Sequence, residues 1–284
     1  TESSFDIVVD GMLPFFQPRD IEFKLSNSEK AYVLKTESIT GNVFTVHSKH
    51  AVSPGAYTLG ALIKGVWREN PKAVFVYQEY PADFTIIQAA DLPDFDNGDG
   101  EMLFSALLED VRGQRATILL LTGDLVYHGG AERYQRFYDA IAQLNIPVIL
   151  CPGNHEREDW SLYIKDYPDT AHTNLFGDWN IISLDSAHGR DQLSNAQLAW
   201  FEQQLMDNQG KKTLVQIHHP VVGERSIERN QQRFLKLLDE YNVVATLSGH
   251  THVDAIHTID GKEWVSDELP PQPWLITTTT YDFD

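Results

Sequence analysis

Five polar clusters stand directly after apolar runs of the sequence, and their residue types are those that bind metal ions. The clusters are Asp91, Gly123-Asp124, Gly153-Asn154-His155-Glu156, His218-His219 and Gly249-His250-Thr251-His252. The glycines let the backbone turn sharply and leave room for a ligand. Imidazole, carboxylate and amide oxygen together suit first-row divalent or trivalent metals. A carboxylate such as Asp124 can bridge two ions, and paired ions clamp the attacking and leaving oxygens of a displacement at phosphorus.

Each cluster taken alone has a simpler structural explanation. A Gly-Asp pair after a strand is usually a turn, a His-His pair can be a satisfied core pair, and Asn154 can cap a helix. The metal site is the better interpretation because all five clusters follow apolar runs in this order.

The apolar runs alternate with amphipathic segments from Asp83 onward. Strands are predicted at Phe84–Ala90, Ala116–Thr122, Val148–Leu150, Asn180–Leu184, Thr213–Ile217 and Val243–Ser248. Helices are predicted at Glu101–Arg112, Glu132–Leu144, Asn195–Met206 and Arg229–Tyr241, the third with Ser194 as its N-cap. This alternation indicates an α/β layered domain, in which ligands sit beyond the carboxyl ends of the strands.

The first 82 residues have a different character, with short runs rich in β-branched and aromatic residues between turn signals. These runs predict strands at Phe5–Val9, Ala31–Lys35, Asn42–His47, Ala56–Ile63 and Ala73–Tyr77. Strands at this spacing suggest a small all-β sandwich of the immunoglobulin or fibronectin kind. The predicted domains are a β-sandwich at 1–82 and a catalytic α/β domain at 83–284, which ends after a further predicted strand at Trp274–Thr280.

The composition limits the partners of the chain. Lys and Arg number 22 against 41 Asp and Glu, and the net charge of −19 disfavours duplex nucleic acid while leaving a small phosphate ester open. The sequence has no apolar run long enough for a membrane span. The single cysteine, Cys151, excludes an intramolecular disulfide and is interpreted as a buried structural thiol.

From about Asp83 to His257 the chain resembles the calcineurin-like metallophosphoesterases through its Asp, Gly-Asp, Gly-Asn-His-Glu, His and Gly-His-x-His motifs. Leu184-Asp185-Ser186 and the helix predicted after it, at Leu193–Leu205, are similar to the cyclic-nucleotide phosphodiesterase branch. The resemblance implies a sheet sandwich flanked by helices. It also implies hydrolysis of phosphate mono- or diesters by a metal-bound hydroxide at a dinuclear site, with no covalent enzyme intermediate.

The first motif departs from the family pattern. Most members carry Asp-x-His, whereas this chain has Asp91-Leu92-Pro93, and proline offers no side-chain ligand. Purple acid phosphatases, a related branch, also lack that histidine and use a tyrosine from Gly-Asp-x-x-Tyr. This chain has that motif at residues 123–127, ending in Tyr127, and it matches the branch's Val-x-x-His at Val215 to His218. Tyrosinate is a hard oxygen donor and favours trivalent iron.

The resemblance implies a ligand set for two ions drawn from Fe, Mn and Zn, including Fe(III) with a divalent ion. The first ion takes Asp91, Asp124, Tyr127 and His252, and the second takes Asp124, Asn154, His218 and His250. His155 lies just outside, where it steers the phosphoryl oxygen or protonates the leaving group. His155 and Asp124 are therefore the implied catalytic residues.

Several of these residues have alternative roles. Tyr127 could instead pack against the following helix, and Asp94 or Asp96 could supply the missing ligand. His128, His188, His219 and Arg225 are candidates either for a substrate pocket or for packing.

Two rival functions are a degenerate family member that acts as a binding or scaffold protein, and a carbohydrate-binding protein that uses Phe15-Phe16 and Trp67. The fusion of a β-sandwich to a phosphatase, with an acidic surface, favours a periplasmic or secreted location.

Overall fold

A computed structural model describes residues 4–9, 21–93, 98–167, 169–187, 193–223, 225–241, 243–252, 258–259 and 262–263. The chain divides into two compact units, Thr1–Pro81 with Asn145–Pro147 and Ala82–Leu144 with Val148–Asp284. Several predictions fall outside the described residues: those for Phe15, Phe16, Asp94, Asp96, His188 and Trp274–Thr280.

The described part of the first unit contains six strands in one antiparallel sheet of order β1-β4-β3-β2-β5-β6. The strands are β1 (Ser4–Val8), β2 (Glu22–Ser26), β3 (Ala31–Thr40), β4 (Val43–Ser48), β5 (Gly55–Ile63) and β6 (Val66–Val76). Successive side chains of a strand face opposite sides, so alternate residues of β2 and β4 enter the core. There the rings of Phe23 and Phe44 meet edge to face, with centroids 5.2 Å apart.

The two-sheet immunoglobulin-like sandwich is not confirmed, because all described strands of this unit hydrogen-bond into a single sheet. Each of the five predicted strands overlaps an observed one. Glu22–Ser26 was missed because Phe23 and Leu25 are its only apolar residues, too few to stand out as a run. In the structure this short strand lies inside the sheet, paired with β3 and β5.

The second unit alternates strands and helices. Its strands are β7 (Ile86–Ala89), β8 (Ile118–Thr122), β9 (Val148–Cys151), β10 (His172–Phe176), β11 (Trp179–Leu184), β12 (Lys212–Ile217), β13 (Val243–Leu247), β14 (Thr258–Ile259) and β15 (Lys262–Glu263). Its helices are α1 (Gly98–Gly113), α2 (Ala131–Ile141), α3 (Trp160–Asp166), α4 (Asn195–Asp207) and α5 (Gln231–Glu240), with a 3-10 helix at His155–Asp159. This is the α/β architecture predicted from the sequence.

Two sheets form the layers of this unit. β7, β8 and β9 are parallel, and β11, β12 and β13 form a second parallel set to which β10 adds antiparallel. Every residue of β8 is buried, as expected for a strand covered on both faces. Helices α4 and α5 pack on the second sheet, where the Phe201 and Phe234 rings lie 5.3 Å apart.

Local signals explain several element boundaries. Helix α4 begins after Ser194, whose Oγ accepts a hydrogen bond from the Gln197 backbone N–H at 3.0 Å, so the predicted N-cap is confirmed. Cys151 is fully buried at the end of β9, and burial raises the pKa of its thiol, as expected of a structural cysteine. None of the described helices is long and apolar enough to cross a membrane.

Candidate active site

The polar clusters meet because the strands before them end at neighbouring positions. The Asp91 N–H donates to the Gly123 carbonyl at 3.1 Å, and the Leu92 N–H donates to the Asp124 carbonyl at 2.8 Å, which joins the loops after β7 and β8. The Gly249 N–H donates to the His218 carbonyl at 2.9 Å and joins the loops after β12 and β13. Parallel strands thus bring residues distant in sequence to one edge of the layers.

Two groups of side chains in these loops have the spacing of metal ligands. Asp91, Asp124 and His218 place ligand atoms within 4.8 Å of one another, and all three residues are buried. His218, His219 and His250 do the same. His218 belongs to both groups and therefore stands between them.

The orientation of His218 brings its free ring edge to the oxygens of two other candidate ligands. Its Nδ1 lies 3.0 Å from the Thr122 carbonyl oxygen, which can only accept, so Nδ1 carries the proton and donates it. Its Nε2 faces Asp124 Oδ2 at 3.3 Å and Asn154 Oδ1 at 3.2 Å. Three electron-pair donors facing one another need a proton or a metal ion between them.

The charges of this pair reinforce each other. Burial is the largest single influence and lowers the pKa of His218, but Asp124, Asp91 and the Thr122 carbonyl together outweigh it and raise the pKa to about 9. Burial is the largest single influence and raises the pKa of Asp124, but His218 and His155 together outweigh it and lower the pKa to about 2. Asp124 is therefore ionised at neutral pH, and the position beside it attracts positive charge.

The neighbouring imidazoles behave in the opposite way. Burial, followed by the charge on His218, lowers the pKa of His219 to about 3 and that of His250 to about 4. Both rings are therefore neutral at pH 7, and a neutral imidazole keeps the lone pair with which it binds a metal.

Asp91 carries a buried oxygen that fits a metal ion. Its Oδ2 accepts the His250 backbone N–H at 2.8 Å. Its Oδ1 is buried, makes no hydrogen bond to any described residue and lies 3.3 Å from His252 Nε2. Burial is the largest factor that raises the pKa of this carboxyl group. A buried carboxylate oxygen without a partner is costly, and coordination of a cation would satisfy it.

Four of the ten described non-glycine residues with a positive φ angle are candidate ligands. Asp91, Asp124, His250 and His252 have φ angles of 53°, 51°, 72° and 53°, in the left-handed region that residues other than glycine rarely adopt. Such a conformation costs on the order of 1 kcal/mol or more per residue and persists where the surroundings impose it. Strained backbone at four candidate ligands is the pattern expected of a functional site.

Two glycines allow the loops to approach closely. A Cβ at Gly123, which has a φ of 81°, would lie 2.5 Å from His218 Nδ1. A Cβ at Gly153 would collide with the backbone nitrogen and side chain of Asp124. Neither position has space for a side chain, which explains the Gly-Asp and Gly-Asn patterns of the sequence.

Glu156 ties the Gly-Asp loop to the Gly-Asn-His-Glu loop. This carboxylate is fully buried and accepts four backbone N–H groups, from Gly153 at 2.6 Å, Leu125 at 2.8 Å, Asp124 at 3.0 Å and Val126 at 3.2 Å. Burial and the Asp124 charge raise the pKa of Glu156 to about 7, while these N–H groups oppose the rise. Glu156 therefore fixes the backbone that carries Asp124 and Asn154.

The short 3-10 helix at His155–Asp159 makes further contacts. Arg157 Nη2 donates to Asp185 Oδ2 at 2.6 Å, and its Nε donates to the Ala187 carbonyl at 3.2 Å. The same guanidinium lies 3.4 Å above the Trp160 ring. The two hydrogen bonds, to a carboxylate and to a carbonyl of the loop after β11, hold the 3-10 helix against that loop, and the Trp160 ring supports the guanidinium by stacking.

The loop after β11 also orients His219. Ser186 Oγ accepts the His219 backbone N–H at 3.0 Å and lies 2.9 Å from His219 Nδ1. The His219 ring is buried, with its centroid 4.2 Å from that of His250. His219 therefore packs against a candidate ligand.

Tyr127, Asn154 and His128 occupy distinct positions around His155. The Tyr127 ring stacks on the His155 ring, with centroids 4.0 Å apart and an interplanar angle of 29°. His128 meets Tyr127 edge to face at 4.8 Å. Asn154 occupies the N-cap position of the 3-10 helix, but its side chain makes no capping hydrogen bond there. Its amide oxygen faces His218 instead.

The geometry brings together most of the residues singled out in the sequence. Contacts in the described structure link Asp91, Asp124, Tyr127, Asn154, His155, His218, His250 and His252 to at least one other member of this set. Arg225 is exposed, and its charge contributes to lowering the pKa of His250. The roles of Glu156, Glu158, Arg157 and Ser186 were not predicted, because hydrogen bonds to backbone and neighbouring loops leave no periodic signal.

A layered α/β fold with carboxylate, amide and imidazole donors converging at the ends of its strands defines a metal-dependent phosphoesterase. The chain belongs to the calcineurin-like phosphoesterase family, which matches residues 84–254, more than half of its length. It is an enzyme that hydrolyses phosphate esters, and the family uses a dinuclear metal site.

Two curated relatives are phosphodiesterases. A 3',5'-cyclic adenosine monophosphate phosphodiesterase of Haemophilus influenzae is 30% identical over 226 residues, covering 71% of this chain and 80% of the relative. A probable glycerophosphodiester phosphodiesterase of Arcobacter nitrofigilis is 31% identical over 163 residues, covering 48% of this chain and 56% of the relative.

A solved structure is similar over a larger part of the chain. The purple acid phosphatase from yellow lupin seeds superposes with a TM-score of 0.54 and 14% identity, covering 82% of this chain and 53% of the lupin chain. At this low sequence identity, the structural similarity shows only that the two chains share a fold.

Proposed function

We propose that this chain is a phosphodiesterase and that a 3',5'-cyclic nucleotide is its best substrate among simple diesters. The observation that carries the metal-dependent chemistry is the convergence of donor atoms from His218, Asp124 and Asn154, with the two oxygens 3.3 Å and 3.2 Å from His218 Nε2. The choice of a diester rests on the relatives, which are named as phosphodiesterases of cyclic nucleotides and of glycerophosphodiesters. Leu184-Asp185-Ser186 supports the cyclic-nucleotide branch.

The proposed ligands follow the donor atoms described above. One ion would bind Asp91, Asp124, Tyr127 and His252, and the other would bind Asp124, Asn154, His218 and His250. The buried Asp91 Oδ1 and the inward-facing His218 Nε2 support this set. When bound, the two ions would lower the pKa of water and neutralise charge on the phosphoryl oxygens. Tyr127 would make Fe(III) the preferred first ion, with Mn or Zn as further candidates.

The protein's own residues would position the reacting groups. Asp124 Oδ1 accepts the His155 backbone N–H at 2.9 Å, which places the His155 ring beside the proposed bridging carboxylate. From there His155 would donate a hydrogen bond to the phosphoryl group or a proton to the leaving oxygen.

The substrate assignment is tested by comparing three phosphate esters under the same conditions with added iron, manganese or zinc. We expect 3',5'-cyclic AMP to be hydrolysed with the highest kcat/KM, ahead of a glycerophosphodiester and of 4-nitrophenyl phosphate. His250→Ala should abolish this hydrolysis while preserving the circular dichroism spectrum. A monoester preference would contradict the diesterase, and full activity in His250→Ala would contradict the second metal site.

The role of Tyr127 has a spectroscopic test. A tyrosinate bound to Fe(III) gives a visible absorption band, so Tyr127→Phe should lose this band and reduce iron content. Tyr80→Phe, at a half-exposed tyrosine of the first unit, is the matched control and should keep both. If iron content and spectrum are the same in both variants, Tyr127 is not a ligand.

We also propose that residues 1–82 and 83–284 are separate domains and that the protein acts outside the cytoplasm. Limited proteolysis tests the first part, with a stable fragment beginning near Asp83 as the expected product. Cell fractionation tests the second, with the protein expected in the periplasmic or secreted fraction.

A further inference from the structure

The 3-10 helix places a second carboxylate next to His155. A 3-10 helix has three residues per turn, so side chains at i and i+3 lie on the same face. His155 and Glu158 have this spacing, and His155 Nδ1 lies 3.0 Å from Glu158 Oε1. An α-helical start at the same residues would rotate these side chains apart by about 60° more, since its repeat is about 3.6 residues.

The chemistry of this contact fixes the His155 tautomer. An ionised carboxylate can only accept hydrogen bonds, so His155 Nδ1 carries a proton and donates it to Glu158. The other ring nitrogen, Nε2, then points to the opposite side, where it lies 3.8 Å from Asp124 Oδ2. The His155 side chain is 19% exposed, so part of it remains accessible to solvent.

Two further contacts restrain the same group. The Tyr127 ring stacks on the face of the His155 ring at 4.0 Å and blocks rotation of the imidazole in that direction. Glu158 Oε2 lies 3.9 Å from His128 Nδ1, so the carboxylate stands between two imidazoles. The Glu158 side chain is 45% exposed, and its polar contacts in the described structure are to His155 and His128 rather than to a proposed metal ligand.

We propose that Glu158 is a positioning residue that holds His155 with Nε2 directed at the ester oxygen that leaves. The inference rests on the proposed function and deepens it, because it assigns the proton donor and its support. Water forms the new P–O bond and releases a proton to solvent, while the P–O bond to the leaving group breaks. His155, protonated on both ring nitrogens, gives its Nε2 proton to the leaving oxygen and keeps the Nδ1 proton that it donates to Glu158. His155 regains a proton from solvent, and the net reaction is water plus diester giving monoester plus alcohol.

The experiment compares two diesters that differ in how strongly the leaving oxygen depends on receiving a proton. Methyl 4-nitrophenyl phosphate releases a stable nitrophenolate that leaves without a proton, whereas methyl phenyl phosphate releases a more basic phenolate. Wild type, Glu158→Ala and Glu158→Gln would be compared as metal-loaded proteins with both diesters. Glu132→Ala is the matched control, since Glu132 is an exposed glutamate of α2 that pairs with Arg136.

Removing a hydrogen bond that orients a functional side chain typically lowers activity by about 10- to 100-fold. Glu158→Ala should therefore lower kcat for methyl phenyl phosphate by about 10- to 100-fold, with KM nearly unchanged. Its kcat for methyl 4-nitrophenyl phosphate should fall by only about threefold, because proton donation contributes little there. Glu158→Gln keeps an acceptor oxygen at the same reach and should recover most of kcat, and Glu132→Ala should match wild type.

Equal losses of kcat with the two diesters, or no loss with either, would overturn the positioning role while leaving the phosphodiesterase intact. Failure of Glu158→Gln to recover activity would also overturn it, since the hydrogen-bond acceptor would then be irrelevant. A wild-type protein that hydrolyses neither diester with any of the three metals would overturn the proposed function and this inference together.

Discussion

Asp124→Asn should reduce phosphodiester hydrolysis by about 10³-fold or more while leaving the protein folded. Metal ions contribute several kcal/mol of transition-state stabilisation, and each 1.4 kcal/mol or so corresponds to a factor of ten in rate. Asn removes the negative charge between His218 and the proposed metal positions, so both ions would bind more weakly. The substitution nearly conserves shape, and Asn Oδ1 can still accept the His155 backbone N–H.

The measurement is kcat/KM for cyclic AMP together with thermal unfolding of the same preparation. Asp178→Asn is the matched control because Asp178 is an exposed carboxylate between β10 and β11. We expect wild-type activity from the control and a melting temperature within a few degrees of wild type for both variants. Full activity in Asp124→Asn would contradict a bridging carboxylate at this position.

Glu156→Leu should destabilise the protein more than other substitutions in the same helix. Leucine has a similar size but cannot accept the four backbone N–H groups that Glu156 accepts. Each buried donor left without a partner costs about 1–3 kcal/mol. We therefore expect a loss of at least about 4 kcal/mol, equivalent to about 10 °C in melting temperature for a chain of this size.

Glu158→Ala provides the comparison for this stability prediction. Glu158 is two residues away, half-exposed and hydrogen-bonded to one side chain, so its loss should cost less than about 1 kcal/mol. Melting temperatures would be measured with chelator and with added metal, because metal binding also stabilises the folded state. A small change in melting temperature for Glu156→Leu in both conditions would show that the Glu156 carboxylate does not stabilise the two loops that it joins.

The position of the candidate site could be predicted from sequence because its residues directly follow parallel strands, and ligands sit beyond the carboxyl ends of such strands. Strands β7, β8, β9, β12 and β13 each appear as an apolar run followed at once by a polar cluster. Their carboxyl ends share one edge, so residues as distant as Asp91 and His250 were expected to meet, and the hydrogen bond between them agrees. Residue type then indicated the kind of ligand.

The supporting contacts could not be predicted in the same way. Glu156 and Glu158 are two glutamates only two positions apart in the sequence. Glu156 is buried and accepts backbone N–H groups, whereas Glu158 is half-exposed and contacts His155. The two side chains differ because the segment forms a 3-10 helix. A polar segment of five residues has no sequence pattern from which that helix type could be predicted. The stacking of Tyr127 on His155 likewise depends on the path of two loops after their strands.

The order in which strands of the first unit pair could not be predicted from the sequence pattern either. The runs around Phe5, Phe44 and Tyr57 correctly indicated strands, since alternation within a strand is local information. Which strands become neighbours is decided by long-range hydrogen bonds, such as those that place β1 beside β4. Strand spacing alone therefore suggested a sandwich where the described strands form one sheet.

The most direct measurement is the metal content of wild type and Asp124→Asn, each purified without chelators or a metal-affinity tag and then incubated with iron, manganese and zinc. We predict two metal ions per wild-type chain and fewer than one in the variant, because Asp124 would contribute to both positions. One ion or none in the wild type, or two ions in both proteins, would contradict a dinuclear centre bridged by Asp124.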